Sequence, residues 1–416
     1  MPKVPEEVFT PRSPDVNESM YIKRPELENA LARGLRGGMH LLLYGDSGSG
    51  KSWLYKKVLK ELQTPFEVAN LANASRLGSI SAEFQNLIDR TGHSVRTGFS
   101  EEKSAGIKIP VAHGNLRNLD TYNVGRMESV EAALAFLAER ASGSRAVLVL
   151  DNLEAAFENR ALMEELADLI ILLDDARYAQ YAIKFLIVGV PRGVREYFAR
   201  TPNRRTVSNR IQELPEVARL RKGQVSDLVF RGFRDELQFD AEEAEMKRVA
   251  AHVHWVTSGV PQQVHEYCLQ LAFMGEHERA FPPDALDLTD ASWLHESFAD
   301  CYDTVDATMN VRETKAGRRN QTLYALGRIE SDEFKAPDLE AVVRKEFPTS
   351  TDGKGLNIGG ILSDLAGRPV PIVQTTMRGD GYRFADPRYR MTLRAMLRKE
   401  EAETVRRIEM ESFGES

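Results

Sequence analysis

The chain has 416 residues, 42% of them hydrophobic, which is enough for two or three domains with true cores. Its formal net charge of −7 excludes a global basic field, so any nucleic-acid binding must be local. Two cysteines, Cys268 and Cys301, indicate no disulfide framework, no apolar run approaches the length of a membrane span, and the expectation is a soluble cytoplasmic protein.

The opening "MPKVPEEVFTPRSPDVNESM" is proline-rich and acidic-polar, unlike a signal peptide, and reads as a flexible arm over 1–20. "YIKRPELENALARGLRGG" predicts a helix from about Pro25. His40 to Tyr44 is a short β-type apolar run, and Trp53 to Leu62 has helical spacing. Phe66–Ala72 is a second strand candidate, and "SISAEFQNLIDRTG" is helical. From His93 to Val124 the pattern fails, and this stretch is expected to be an insertion (about 93–124). Lys103, Lys108, His113 and Arg117 there form a candidate contact surface or a solvated loop. "MESVEAALAFLAERA" returns to helix, "RAVLVLDNLE" is a fully apolar strand ending in acids, and "IKFLIVGVP" is another buried strand. Apolar strands alternating with amphipathic helices predict a parallel sheet covered on both faces.

From Arg205 onward the pattern changes to three or four helices, and "FPPDALDLT" is a proline-marked linker. Three short helices then precede a candidate hairpin, "PIVQTTMRGDGYRFADP", which is the element order of a winged helix. A charged helix is expected to close the chain. The reading is therefore an arm at 1–20, an α/β core at 21–215, a small helical domain at 216–290, a winged-helix domain at 291–400 and a charged helical tail at 401–416.

Between the first strand and its helix stands Gly45-Asp46-Ser47-Gly48-Ser49-Gly50-Lys51-Ser52, which fits G-x-x-x-x-G-K-[ST] in full. Glycines let backbone N–H groups turn inward as a nest for phosphate oxygens, and the following helix adds its free N–H groups. Lys51 can reach the β- and γ-phosphates and the Ser52 hydroxyl can bind Mg²⁺, so the cofactors expected are ATP and Mg²⁺. Asp151 ends a buried strand, where open α/β sheets bind ligands, and can hold the Mg²⁺ shell beside Ser52. A water-activating base needs a carboxylate. Asn152 cannot serve, whereas Glu154 can if it turns back toward the γ-phosphate, and hydrolysis is expected to be slow.

"MYIKRPELENAL", the phosphate loop, "VLVLDNLE", "IKFLIVGVP", "SNRIQELP" and "SGVPQQV" come in the order found in AAA+-related ATPases. More narrowly, the chain resembles the STAND signalling ATPases and the archaeal-type ATPases near the origin-recognition proteins, over roughly Tyr21 to Leu397 without the insertion. The resemblance implies a P-loop core, a helical lid and a winged helix. It puts Tyr21, Ile22 and Arg24 beside the adenine and Gly259-Val260-Pro261 at the lid turn over the nucleotide. It makes Arg210 the arginine that reaches a neighbouring subunit's γ-phosphate, with Arg204 and Arg205 as rivals. Two departures from the family stand out: Gly189-Val190-Pro191 replaces a polar sensor, and Gln262 replaces an arginine after the lid proline. Both fit a slow switch better than a fast motor.

Weaker signals remain. His252, His254, His265 and Cys268 read as helix-packing residues rather than a zinc set, because His252 and His254 point to different helix faces. The candidate recognition helix, "LNIGGILSDLAG", offers Asn357 and Asp364 but no arginine for base reading. Arg378, Arg383, Lys315, Arg318 and Arg319 could meet phosphates, yet packing or protein contact is the favoured role for this domain. The function expected is an ATP-dependent switch that assembles with itself, as a homo-oligomer, or with a partner effector protein. The alternatives are a DNA-binding loader or regulator and a structural ATP-binding subunit.

Overall fold

The computed structural model describes residues 3–90, 129–190, 205–310, 317–376 and 379–409, together with Val194, Tyr197 and Phe198. The expected insertion at His93–Val124 lies outside the described residues, as do Pro191, Arg204, Lys315 and Arg378. The chain divides into two compact units. One comprises Pro14–Val16 and Lys23–Ala218, the other Met1–Ser13, Asn17–Ile22 and Arg219–Ser416.

The first unit is built on five parallel strands: β1 (His40–Tyr44), β2 (Phe66–Asn70), β3 (Ala146–Asp151), β4 (Ile183–Gly189) and β5 (Ile211–Glu213). Their order is β2-β3-β4-β1-β5. Alternate residues serve opposite faces. Leu42, Leu148, Leu150, Phe185 and Ile187 join one buried cluster, while Leu41, Leu43, Val147, Val149, Leu186 and Val188 join another. Both faces are covered, which is why these strands read as continuous apolar runs rather than as alternation. The second strand stops at Asn70, earlier than the apolar pattern suggests. Its side chain accepts from the backbone N–H of Ala72 at 2.9 Å and so starts the helix Leu71–Leu77 as an N-cap.

The second unit is one continuous core of helices and small sheets. The spans expected as a helical domain (216–290) and a winged-helix domain (291–400) both fall largely within it. The proline-marked stretch runs into a helix, Ala285–Ser297, whose Trp293 is fully buried in the shared core. After it come helices Arg318–Arg328, Ala336–Glu346 and Ile358–Ala366 and an antiparallel sheet of β6 (Glu333–Phe334), β7 (Val373–Thr375) and β8 (Tyr382–Phe384), in the order β6-β8-β7.

Two expectations fail in this unit. Residues 1–20 are not a flexible arm. Pro5–Val8 is a short helix, and Val8, Phe9 and Met20 are buried in the second unit's core. The ring of Phe9 lies 5.0 Å from that of Phe233, and a Cβ at Gly232 would collide with it. Three large apolar side chains without periodic spacing anchor the segment, which composition alone hides. The closing helix also ends earlier, at Met396. The chain then pairs β9 (Leu397–Lys399) with β10 (Val405–Arg407) in an antiparallel hairpin, so the charged tail is not helical there.

Candidate nucleotide site

Strand β1 delivers the chain to the glycine loop at the C-terminal end of the sheet, and the helix Lys51–Glu61 leaves from it. Gly48 and Gly50 adopt φ of 73° and 86°, the left-handed region that turns successive N–H groups toward one concavity. Gly45 has no room for a side chain, since a Cβ there would stand 2.5 Å from the carbonyl of Val217. Ser49 is buried and its hydroxyl has no partner among the described residues. A loop whose glycines cannot be replaced and whose buried hydroxyl is unsatisfied fits a phosphate-bearing ligand.

Lys51 bridges the start of its own loop, donating from Nζ to the carbonyls of Gly45 and Asp46, each at 2.9 Å. Burial lowers its pKa, and the charges of Glu154, Asp151 and Asp46 oppose that shift. The ammonium is therefore held by two loop carbonyls that phosphate oxygens can replace as partners. Arg24 clasps the loop from outside, its guanidinium donating to the carbonyls of Ser49 at 2.8 Å and Gly50 at 3.3 Å.

Because β4 lies between β1 and β3, the space between the glycine loop and the end of β3 opens over the end of β4. Asp151 stands there. Its Oδ2 lies 3.5 Å from the Ser52 hydroxyl and accepts from the Tyr55 hydroxyl at 3.3 Å, while its Oδ1 accepts from the Asn152 N–H at 2.9 Å. Burial raises the Asp151 pKa, with the Asn152 and Tyr55 hydrogen bonds acting against it. Ser52 and Asp151 are the residues that would hold Mg²⁺, whose charge would relieve this strained carboxylate. Glu154 opens the short helix Glu154–Phe157, and its Oε2 accepts from the Val190 N–H at 3.2 Å. The backbone beyond Gly189 thus fixes the carboxylate. Gly189 allows the approach, because a Cβ there would come within 2.6 Å of the Leu153 Cβ. Asn152 has a φ of 63° and donates from Nδ2 to the Asn70 side chain at 3.0 Å, so it ties β3 to β2.

Arg210 is not in this cluster. It immediately precedes β5, and its carbonyl accepts from the His40 N–H at 2.8 Å, at the end of the sheet opposite the glycine loop. Its side chain pairs with Asp174 and donates to the Thr206 carbonyl at 2.9 Å. Tyr21 and Pro261 belong to the other unit. Tyr21 is buried, and its carbonyl accepts from Arg231 at 3.1 Å. Pro261 starts the helix Pro261–Met274 just after Gly259, whose φ of 70° and close approach to the Leu220 carbonyl require glycine. Gln262 donates to Glu266 at 3.0 Å.

The other polar candidates are committed to structure. His252 bonds Asp290 at 3.0 Å, and His265, buried and pushed down to about 4 by desolvation, accepts from the Thr10 N–H. Arg318 donates to the Ser350 carbonyl at 3.1 Å and Arg319 pairs with Asp364 at 3.0 Å.

Sequence reasoning missed Tyr55 and the clasp made by Arg24. The first had a signal, since Tyr55 lies three residues after Ser52 on one helix face. The second depends on tertiary contact and had none.

Residues 34–198 match the family model described as an AAA domain. A Walker-type ATPase of Pyrococcus abyssi is 16% identical over 90% of this chain and 96% of its own, with a TM-score of 0.51. The ORC2 protein of Aeropyrum pernix, in ADPNP–ADP complexes, is 14% identical over 93% and 97%, with a TM-score of 0.48. Cdc6p from Pyrobaculum aerophilum is 16% identical over 95% and 99%, with a TM-score of 0.44. No curated protein matches the chain. The domain match and the first of these likenesses, with the strand order, establish an α/β fold of the P-loop AAA+ ATPase kind. No helix among the described residues is long and apolar enough to cross a membrane.

Proposed function

We propose that the protein is an ATP-binding, slowly hydrolysing switch of the AAA+/STAND type that assembles with itself or with a partner effector according to the nucleotide it holds. The observation that carries this reading is the convergence of Lys51, Ser52, Asp151 and Glu154 at the C-terminal end of one sheet. In this reading the loop N–H groups and Lys51 bind the phosphates, and Ser52 and Asp151 hold Mg²⁺. The metal, when bound, offsets charge on the β- and γ-phosphates. Glu154 takes the proton of the attacking water. Its hydrogen bond to the Val190 N–H restrains the carboxylate, and Gly189 and Val190 offer no polar side chain at the end of β4. Both features favour slow turnover.

Tyr21 and the Val260-Pro261 turn are assigned to the adenine and the lid by family resemblance, and Arg210 to a neighbouring subunit's γ-phosphate. Its position at the far end of the sheet supports action in trans, because an arginine there does not serve its own loop. The helices and sheet after Arg318 follow the order of a winged helix. The commitment of Arg318 and Arg319 to internal partners supports packing or protein contact over DNA for it. Two buried, unpaired thiols, Cys268 and Cys301, support a reducing, cytoplasmic setting.

The test is the mass of the protein in solution with ATP and with ADP, alongside turnover, for the wild type and Glu154→Gln. The expected result is an ATP-dependent assembly that Glu154→Gln makes persistent. Equal masses in both nucleotides would remove the switch, and wild-type turnover in Glu154→Gln would remove that residue from the chemistry.

A further inference from the structure

The second unit holds a cationic pocket that the chemistry of the glycine loop does not use. Trp255, near the end of the helix Glu243–Thr257, is covered by two guanidinium groups, Arg394 at 3.9 Å and Arg328 at 4.8 Å from the ring centroid. Beside them opens a pocket of about 470 Å³ whose walls include Arg328, Arg394, Arg398 and Lys399 and no carboxylate. These four cations are not equally compensated. Arg398 is neutralised from behind by Asp287, at 2.9 Å, and by Asp290. Lys399 donates to the Glu346 carbonyl. Neither Arg328 nor Arg394 pairs with a carboxylate among the described residues.

Arg394 is the more telling of the two, being only 9% exposed. Its Nε donates to the Gly327 carbonyl at 2.6 Å, and its Nη1 donates to the Trp255 carbonyl at 2.7 Å and the Ser258 hydroxyl at 3.1 Å. Its Nη2 has no hydrogen-bond partner among the described residues. Burial and the like charges of Arg390, Arg219 and Arg328 push its pKa down to about 9, against the pull of Glu330. Cation–π contact accounts for the hold on Trp255. It does not account for three guanidinium groups and an ammonium around one cavity with no acid among the described residues of its wall.

We propose that this pocket binds a small phosphorylated anion, whose phosphate oxygens accept from Arg328 and from the open Nη2 of Arg394, with Lys399 as a further point charge. Several converging donors favour a ligand with two or more negative charges over a single carboxylate. Concavity favours a small molecule over a duplex, because the buried Arg394 is out of reach of a broad convex backbone. The site is independent of the nucleotide reading and stands or falls apart from it.

The experiment is calorimetric titration of pyrophosphate into the full-length Lys51→Ala protein, in which the glycine loop is disabled. One binding event is expected, weakened at least tenfold by adding Arg328→Gln, an exposed position whose change leaves the fold intact by circular dichroism. Arg394→Lys, which keeps the charge but loses the fork, should weaken it as well. In the otherwise wild-type chain, Arg328→Gln should leave ATP affinity unchanged. Absence of pyrophosphate binding to Lys51→Ala, or equal binding with and without Arg328→Gln, would overturn the site. A short DNA duplex that displaces pyrophosphate from these residues would overturn its assignment to a small ligand.

Discussion

Lys51 and Lys184 are both lysines whose pKa burial lowers, at opposite ends of the same sheet, and they do different work. Lys184, the second residue of β4, donates to the carbonyls of Gly34 and Gly37, each at 2.7 Å. Arg145 beside it donates to the carbonyls of Leu35, Arg36 and Gly37. Together they satisfy the free carbonyls at the C-terminus of the helix Pro25–Arg36, where cations also suit the helix dipole. Those acceptors belong to a packed helix end and cannot be exchanged for a ligand. Lys51 holds only loop carbonyls, which phosphate oxygens can replace as partners. A buried lysine signals function only where its partners can be traded.

Substitution separates the two ends. Lys51→Ala should raise the ATP Kd by at least about 100-fold while moving unfolding free energy by less than ~1 kcal/mol, since its loop bonds are local. Calorimetry and urea titration on the same samples would show both. A stability loss matching that of a core mutant would erase the contrast.

Arg210 lies at the Lys184 end but is proposed to act on chemistry, so it probes whether the ends are truly separate. Turnover per subunit should rise with protein concentration, and Arg210→Ala should abolish the rise, by an order of magnitude or more, with ATP affinity nearly intact. Mixing it with Lys51→Ala should restore part of the activity. Turnover independent of concentration, with no rescue on mixing, would leave Arg210 as the structural partner of Asp174.

Lys184→Met should do the reverse of Lys51→Ala. It removes one donor from each of two helix-end carbonyls, which keep Arg145 and the Gly37 N–H, and should lower stability by about 0.5–1.5 kcal/mol, with relieved burial of the ammonium offsetting part. ATP affinity should stay within about twofold of wild type. The smallest expected effect concerns pH. Burial, helped by Arg145, places the Lys184 pKa at about 8, below the ordinary 10.5. Between those values the unfolded chain binds more protons, so stability should rise with pH across that window. A urea midpoint that rises equally in Lys184→Met would assign the trend to other groups.

The sequence made one end of this sheet much more legible than the other. The glycine loop, Lys51, Ser52 and Asp151 are read from a local spacing and from the end of an apolar run. The hydrogen bond from the Val190 N–H to Glu154 and the clasp of Arg24 on the loop depend on which strands and helices become neighbours, which no spacing states. Lys184 stands in a stretch read only as a buried strand, and the helix end packed against it explains the residue. In the second unit the helices were legible from their periodicity. The burial of Val8, Phe9 and Met20 was not, because each is an isolated apolar residue in a polar, proline-rich context.

That N-terminal segment has a consequence for how the protein is made. Phe9 and Met20 pack against residues that follow Arg219, with the whole Lys23–Ala218 unit between them in the chain. At about 5–20 residues per second, the ribosome needs roughly 10–40 s to deliver those partners across the intervening stretch of about 200 residues. The sheet unit gains its last strand, Ile211–Glu213, only at the end of that interval, and until then the earlier segment waits with its apolar side chains in water. It is a natural point of contact for a chaperone, and although it is made before the sheet unit it is buried only once the residues after Arg219 are made.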